Sequence, residues 1–150
     1  MRILVDIDVP DLEPAIDFYR DALGLRLSRL LDDDVAELTG ASATIYLLRK
    51  PAGSAPTKEL GARDYGRHWT PVHLDFVVDD LAAAERRAVA AGARRESASI
   101  EWKGSTCITF SDPFGHGFCL IEFDGETYAD ATGASETRDR SSRQERSRSR

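Results

Sequence analysis

Two side chains able to bind or move a proton stand two residues apart near the middle of the chain. His73 and Asp75 alternate with apolar residues in "PVHLDFVV" (71–78), and this period of two predicts a β-strand. On a strand, side chains at i and i+2 share one face about 7 Å apart. His73 could therefore donate a hydrogen bond to a ligand or act as a general base beside Asp75, so these two are the catalytic candidates. The alternative is a histidine that makes only a structural hydrogen bond.

Two more carboxylates follow the same alternation near the start of the chain. Asp6 and Asp8 lie in "ILVDIDV" (3–9), with apolar residues on the other face of the predicted strand. A carboxylate in a partly buried cleft must be paired, hydrated or neutralised. A cationic ligand or a polyol would satisfy Asp6, which is therefore a ligand-binding candidate. The alternatives are a water-filled mouth or pairing with an arginine of the other half.

Several aromatic residues could form a wall for a planar ligand. They are Tyr46, Trp69, Trp102 and Phe110, and the alternative for each is an ordinary place in the hydrophobic core. Trp69 follows a segment rich in Pro and Gly, which favours a role as a lid. Tyr46, Trp69 and Trp102 are accordingly counted among the ligand-binding candidates.

The chain has two cysteines, Cys107 and Cys119, which form no CxxC pair and are too few for a disulfide framework. In a cytosol both would stay reduced. Cys119 is typical of a small buried hydrophobic residue, although a nucleophile assisted by His116, three residues earlier, is a weaker alternative. We expect Cys119 to lie near the ligand.

These residues belong to a sequence that repeats itself. A shift of 69 positions places "VPDL" (9–12) on "VDDL" (78–81), Leu4 on His73 and Asp6 on Asp75. Each copy continues as an amphipathic helical pattern that ends at a glycine. Three strand-like runs then follow in each half.

The repeat predicts an α+β fold of two tandem βαβββ modules. Module 1 covers about residues 1–50, a linker covers 51–69, and module 2 covers about 70–124. A sheet with a helix on one face leaves its other face bare. Two such sheets can curl so that their bare faces line a common cleft. We also expect Asp11 to cap the first helix and "DPFGHG" to form a turn.

Charge is unevenly distributed along the chain. The net charge is −6, but the last fifteen residues hold six Arg against three acids, so the rest carries −9. An acidic body argues against nucleic acid as the main partner. Residues 125–150 are almost without large apolar side chains and are predicted to be disordered. The sequence has no apolar run of membrane-spanning length and no secretory signal, which favours the cytoplasm.

The stretches "VPDLEPAIDFYRDALGL", "VHLDFVVDDLAAAERRAVAAGA" and "FSDPFGHGFCLIEF" resemble the vicinal oxygen chelate superfamily, the glyoxalase/bleomycin-resistance/dioxygenase proteins. The resemblance covers residues 1–124 and implies curled mixed sheets around a cleft, and a homodimer. Metal-dependent members place one ligand on the first strand and one on a later strand of each half. By position, these sites fall on Leu4, His73, Cys119 and either Tyr46 or Leu48.

Of these positions, only His73 keeps a good metal ligand, and Cys119 offers a soft one. An open catalytic metal site needs at least three protein ligands, and Leu4 has no lone pair. We therefore expect no metal cofactor. A rearranged divalent-metal site that joins His73 with Asp6 or Asp75 is the alternative, and it would suit zinc or iron(II).

The missing ligands favour a protein that binds a small organic molecule in the cleft without a metal, as the antibiotic-binding resistance proteins of the superfamily do. The alternative is a metal-dependent lyase, isomerase or dioxygenase. In that case the metal would polarise a carbonyl or enediolate oxygen while a carboxylate moves the proton. An interaction protein that uses the arginine-rich tail is a third hypothesis.

Overall fold

A computed structural model describes residues 1–129. Within them, two similar units follow each other along the chain, each with one helix laid on one face of a mixed sheet. The α+β fold of two repeated modules predicted from the sequence is confirmed. None of the helices in residues 1–129 combines the length and the apolar character needed to cross a membrane.

Module 1 contains one helix and four strands. In chain order they are β1 (Leu4–Val9), α1 (Leu12–Leu23), β2 (Arg26–Asp32), β3 (Val35–Thr39) and β4 (Thr44–Arg49). The sheet order is β1-β4-β3-β2, with β1 parallel to β4 and the other pairs antiparallel. Strand β1 is therefore an edge of this sheet.

Module 2 repeats this plan with one difference. Its elements are β5 (Leu74–Val77), α2 (Leu81–Ala90), β6 (Arg94–Arg95), β7 (Ile100–Trp102), β8 (Ser105–Ser111) and β9 (Gly117–Phe123). The order is β5-β9-β8-β6, and β7 also pairs with β8. The sequence predicted three strand-like runs after this helix, whereas the structure has four strands, because residues 94–102 are divided between β6 and β7. The break arises because the Ser97 hydroxyl, rather than a backbone carbonyl, accepts the N–H of Thr109.

The helix ends follow the local sequence. Gly24 adopts a left-handed φ of 70° at the end of α1 and donates its N–H to the Arg20 carbonyl, as glycine does at many helix ends. The side chain of Asp80 caps α2 by accepting the N–H of Ala83. Asp11 has the backbone geometry of a cap, but its side chain makes no capping hydrogen bond. The side-chain cap that the sequence predicted at Asp11 is therefore not formed.

The two modules share one hydrophobic core. Both helices contribute to it, together with the apolar side chains that point from each sheet toward the helices. Phe18 of α1 shows the sharing, because its ring meets Phe114 and Phe118 of module 2 edge-on at 6.2 and 6.4 Å. The opposite faces of the sheets expose Leu4, Val77 and Ile100. Burial of the shared core fixes how β1 and β5 lie relative to each other.

The segment 51–69 contains no helix or strand, yet it is tied to both modules. Arg63 pairs with Asp8 of β1 at 2.6 Å. Arg67 forms two hydrogen bonds with the Glu96 carboxylate, at 2.8 and 2.6 Å. The linker is therefore a strap across one end of the modules.

The C-terminal end of the described chain folds back on module 2. The Tyr128 ring lies 5.1 Å from Trp102 and 4.8 Å from Phe123, and the Ala129 N–H donates to the Lys103 carbonyl. The rest of the predicted tail, 130–150, lies outside the described residues.

Candidate functional site

The strand register identifies corresponding positions in the two modules. On the parallel pair β1 and β4, Asp6 is the partner of Tyr46. On the parallel pair β5 and β9, Asp75 is the partner of Cys119. Tyr46, rather than Leu48, is therefore the counterpart of Cys119. All four side chains lie on the sheet faces that point away from the helices, because the alternate residues of each strand belong to the core.

On module 2, three of the predicted site residues converge. His73 Nε2 lies 3.2 Å from Asp75 Oδ1. Ligand atoms of His73, Asp75 and Cys119 all lie within 4.8 Å of one another. His73 directly precedes β5, and its side chain reaches Asp75 despite the two-residue separation. The histidine and the carboxylate thus orient each other.

Cys119 is a buried, protonated thiol in this cluster. Burial raises its pKa to about 12, and the hydrogen bond to Thr109 opposes this only in part. Its Sγ lies 3.6 Å from the Thr109 hydroxyl. Burial also raises the pKa of Cys107, on the neighbouring strand. A thiol that holds its proton this firmly is a poor nucleophile near neutral pH.

On module 1, the equivalent face holds a polar network. The Tyr46 hydroxyl donates to Glu37 Oε2 at 2.9 Å, and Arg29 donates to both oxygens of the same carboxylate. The hydrogen bonds from Arg29 and then Tyr46 lower the pKa of Glu37. Tyr46 is therefore engaged within its own module. Asp6 next to it is exposed and has no ion-pair partner among residues 1–129.

A cavity of about 370 Å³ lies between β1 and β5. Asp6 and His73 stand on its wall, and their contact with a ligand stays a prediction. Most of its apolar lining comes from the helix-facing side of the strands. These residues, which the sequence reading missed, are Val5, Ile7, Leu74, Phe76 and Phe118.

The helix-facing residues are accessible because β1 and β5 are edge strands that do not pair with each other. The gap between the two edges opens toward the shared core, whereas we expected a cleft lined only by the bare sheet faces. Tyr46, Asp75 and Cys119 lie on those faces and are not among the residues that line the cavity. Their contact with a ligand stays a prediction.

The two tryptophans lie apart from each other. Trp69 is exposed, and its ring centroid is 4.9 Å from that of His73, beside the cavity wall. Trp102 lies on the same sheet face as Cys119 but toward the other end of the sheet, where its ring meets Tyr128 and Lys103. The cavity therefore has one tryptophan close to it. Phe110 is fully buried and stacks on Phe118 in the core.

Another group on the cavity wall comes from the predicted turn. Asp112 is buried, and its Oδ2 accepts from the Tyr19 hydroxyl and lies 2.8 Å from His116 Nδ1. Tyr19 and His116 both line the cavity. The motif "DPFGHG" predicted the turn but not this contact, because Tyr19 is 93 residues away in the chain.

Glu122 lies on the opposite face of β9 from Cys119. Its Oε2 accepts the backbone N–H of Leu81 at 2.7 Å, at the start of α2. A carboxylate at this position satisfies a free helix N–H and complements the helix dipole. Glu122 is therefore unavailable to the cavity.

The cluster of His73, Asp75 and Cys119 fits a metal ion in donor type and spacing. One imidazole, one carboxylate and one thiolate form a mixed set of the kind that zinc accepts, with a fourth position left open. The set does not suit magnesium or manganese, which prefer oxygen ligands. Cys119 must lose its proton to take part, and its raised pKa of about 12 opposes this.

Comparisons with known proteins agree with this architecture. A lactoylglutathione lyase from Agrobacterium tumefaciens is 22% identical, with a TM-score of 0.57 over 81% of this chain and 92% of that one. A fosfomycin resistance protein from Listeria monocytogenes is 16% identical, with a TM-score of 0.62 over 81% and 92%. A glyoxalase-related enzyme from Fulvimarina pelagi is 17% identical, with a TM-score of 0.66 over 87% and 99%.

At these identities the similarity establishes the fold alone. No curated protein sequence matches the chain. The pattern of the glyoxalase-like domain family matches residues 3–121, which is most of the chain and includes both modules. The chain therefore belongs to the glyoxalase-like domain family of the vicinal oxygen chelate superfamily, and it has the fold of the glyoxalase/bleomycin-resistance proteins.

Proposed function

We propose that this protein binds a small organic amine in the cavity between β1 and β5, and that binding needs no metal ion. The observation that carries the proposal is the pairing of an apolar cavity with the unpaired carboxylate of Asp6 on its wall. An aromatic or aliphatic body would lie against Phe76 and Phe118. The ammonium group would pair with Asp6.

Charge supports a cationic ligand. Asp8, the other carboxylate on this wall, is already neutralised by Arg63 at 2.6 Å. Asp6 has no such partner among the described residues, so its exposed carboxylate is available to pair with a cationic ligand. His73 adds a hydrogen-bonding group, and Trp69 lies against it.

The ligand positions of the superfamily support binding without a metal. Leu4 stands where the first strand of module 1 would supply a ligand. Asp6 does not join the cluster of His73, Asp75 and Cys119. Cys119 would have to lose a proton to complete that cluster, and its raised pKa of about 12 makes this more costly.

A metal-dependent lyase, isomerase or dioxygenase is the second candidate, favoured by the same cluster. His73, Asp75 and Cys119 would hold a zinc ion. Bound zinc would polarise a carbonyl or enediolate oxygen. His73 and Asp75 would then serve as ligands, which leaves Asp6 as the carboxylate on the cavity wall able to accept a proton. The similarity to a lactoylglutathione lyase is consistent with this chemistry.

We further propose a cytoplasmic homodimer. The sheet faces opposite the helices expose Leu4, Val77 and Ile100 to solvent, and a second copy of the chain would cover them. Sedimentation equilibrium tests the dimer: wild type should sediment as a dimer and Val77→Glu as a monomer. A monomeric wild type would refute it.

The binding proposal is tested with two probes that share one carbon skeleton. Near neutral pH, 2-phenylethylamine carries a charged ammonium group, and 2-phenylethanol carries a neutral hydroxyl group. Nuclear magnetic resonance titration should show that the amine binds at least about tenfold more tightly and shifts the signals of Phe76 and Phe118. Asp6→Asn should abolish this preference. Asp33→Asn removes an equivalent charge from an exposed turn and is the matched control. Equal binding of both probes, or a preference unaffected by Asp6→Asn, would refute the proposal.

A further inference from the structure

The carboxylate of Asp112 is saturated with hydrogen bonds although its side chain is fully buried. Its Oδ1 accepts the backbone N–H groups of Phe114 and His116 at 2.9 and 2.8 Å. Its Oδ2 lies 2.8 Å from both the Tyr19 hydroxyl and His116 Nδ1. Four polar partners thus surround one buried carboxylate.

This arrangement determines the tautomer of His116. Burial raises the pKa of Tyr19 well above its usual value, so its hydroxyl remains a donor. Both oxygens of the Asp112 carboxylate already accept hydrogen bonds from other groups, and His116 Nδ1 must therefore supply the hydrogen for its own bond to Oδ2. In the neutral ring, Nε2 is then left with a lone pair and acts as an acceptor.

The position of His116 is fixed from several sides. Asp112 contacts both its backbone and its ring, and the Tyr65 ring packs against the imidazole at 6.3 Å. Gly115, directly before it, lies so close to the strap that an added Cβ would be 2.6 Å from the Tyr65 carbonyl oxygen. One third of the His116 side chain stays exposed, on the wall of the cavity.

We propose that His116 Nε2 accepts a hydrogen bond from a hydroxyl group of the ligand, so that the cavity selects hydroxylated amines. The inference rests on the proposed function, because Asp6 would hold the ammonium group of the same ligand. Asp112 acts through His116 and is a positioning residue. A purely structural histidine would need only its Nδ1, whereas His116 also has part of its side chain exposed on the cavity wall.

The probes are 2-amino-1-phenylethanol and 2-phenylethylamine, which differ by one hydroxyl group. Wild type should bind the hydroxylated amine up to about tenfold more tightly, which is the upper end of the net effect of one hydrogen bond that replaces hydrogen bonds to water. His116→Asn is the matched variant, because its amide N–H can still donate to Asp112, whereas its carbonyl oxygen takes the place of the ring carbon Cδ2 and does not reach the position of Nε2. It should bind the two amines with equal affinity, so that the preference for the hydroxylated amine is lost.

The tautomer is read independently by long-range ¹⁵N–¹H correlation spectroscopy of the histidine side chains at about pH 8, where histidine is ordinarily neutral. His116 should carry its hydrogen on Nδ1 in wild type and lose this preference in Asp112→Asn. The Nε2 signal should move when 2-amino-1-phenylethanol is added and remain in place with 2-phenylethylamine.

Each unfavourable outcome has a separate meaning. If 2-phenylethylamine binds through Asp6 but the hydroxyl adds no affinity, the inference fails and the proposed function stands. A hydrogen on His116 Nε2 in wild type, or a preference that survives in His116→Asn, also overturns it. If neither amine binds, both proposals fail.

Discussion

The Tyr19 hydroxyl donates a 2.8 Å hydrogen bond to Asp112, and this buried contact joins the helix of the first module to the turn of the second. The two residues lie 93 positions apart in the chain. Both the orientation of His116 and this polar contact between the modules therefore depend on one carboxylate. The strap, which contacts the same turn at Gly115, adds a second connection.

Removal of the Tyr19 hydroxyl should weaken the joined modules. Tyr19→Phe leaves a buried carboxylate oxygen with one donor fewer, which should lower the free energy of unfolding by about 1–2 kcal/mol. Urea unfolding measures the change. Tyr46→Phe, in a partly exposed network, is the control and should cost less. A Tyr19→Phe protein as stable as wild type would mean that the contact adds nothing to the fold.

Stability should also fall at high pH because of Tyr19. Its pKa is raised in the folded state, so the unfolded chain releases the proton first as the pH passes about 10. The stabilising effect is complete below that pH and is lost above it. Unfolding of wild type and Tyr19→Phe between about pH 8 and pH 11 checks the sign, because the alkaline loss should be smaller in the variant.

The close approach of the strap predicts that Gly115 cannot be replaced. An alanine Cβ would clash with the Tyr65 carbonyl, and the φ of 91° at this position favours glycine. Gly115→Ala should therefore lose more than about 2 kcal/mol of unfolding free energy. Gly61→Ala, which meets no atom within 4 Å, is the control in the same strap. Equal stability of the two variants would contradict the packing described here.

The ion pair of Arg67 and Glu96 should stabilise the protein in a pH-dependent way. The hydrogen bond from Arg67 lowers the pKa of Glu96 to about 2, from a usual value of 4.5. The ion pair therefore stabilises the fold fully above about pH 4.5, and this stabilisation disappears as the pH falls toward 2. Glu96→Gln should cost about 1 kcal/mol near neutral pH and almost nothing at about pH 2. Glu59→Gln, on the exposed part of the strap, is the control. A cost independent of pH would show that charge is not its cause.

Cys119 should resist alkylation in the folded protein. With a pKa of about 12, its thiolate is scarce near pH 8, and the side chain is buried. Iodoacetamide labelling followed by mass spectrometry should modify Cys107 first and Cys119 only after unfolding. Rapid labelling of native Cys119 would revive its role as a nucleophile.

Much of the fold was predictable from local patterns. Short sequence patterns predicted the strands with a period of two and the two amphipathic helices. They also predicted that a glycine, Gly24, ends the first helix. The break between β6 and β7 was not predictable, since it depends on the Ser97 hydroxyl accepting a backbone N–H from another strand.

The site was predictable only in part. The alternation of polar and apolar residues along the strands correctly placed Asp6, His73 and Asp75 on the faces that point away from the helices. The match between Tyr46 and Cys119 required the strand register, which only the structure provides. The cavity itself depends on the distance between two sheet edges, which the shared core determines. That distance cannot be predicted from a local pattern of residues. For this reason the sequence analysis did not identify Phe76 and Phe118 as residues that line the cavity.

The most direct test of metal-independent binding is calorimetric titration of 2-phenylethylamine into protein treated with a chelator, and into the same protein supplied with zinc. We expect the same affinity in both samples, one binding site, and at least about tenfold weaker binding in Asp6→Asn. Binding that appears only with zinc and is lost in a His73→Ala variant would contradict the account and favour the metal-dependent enzyme.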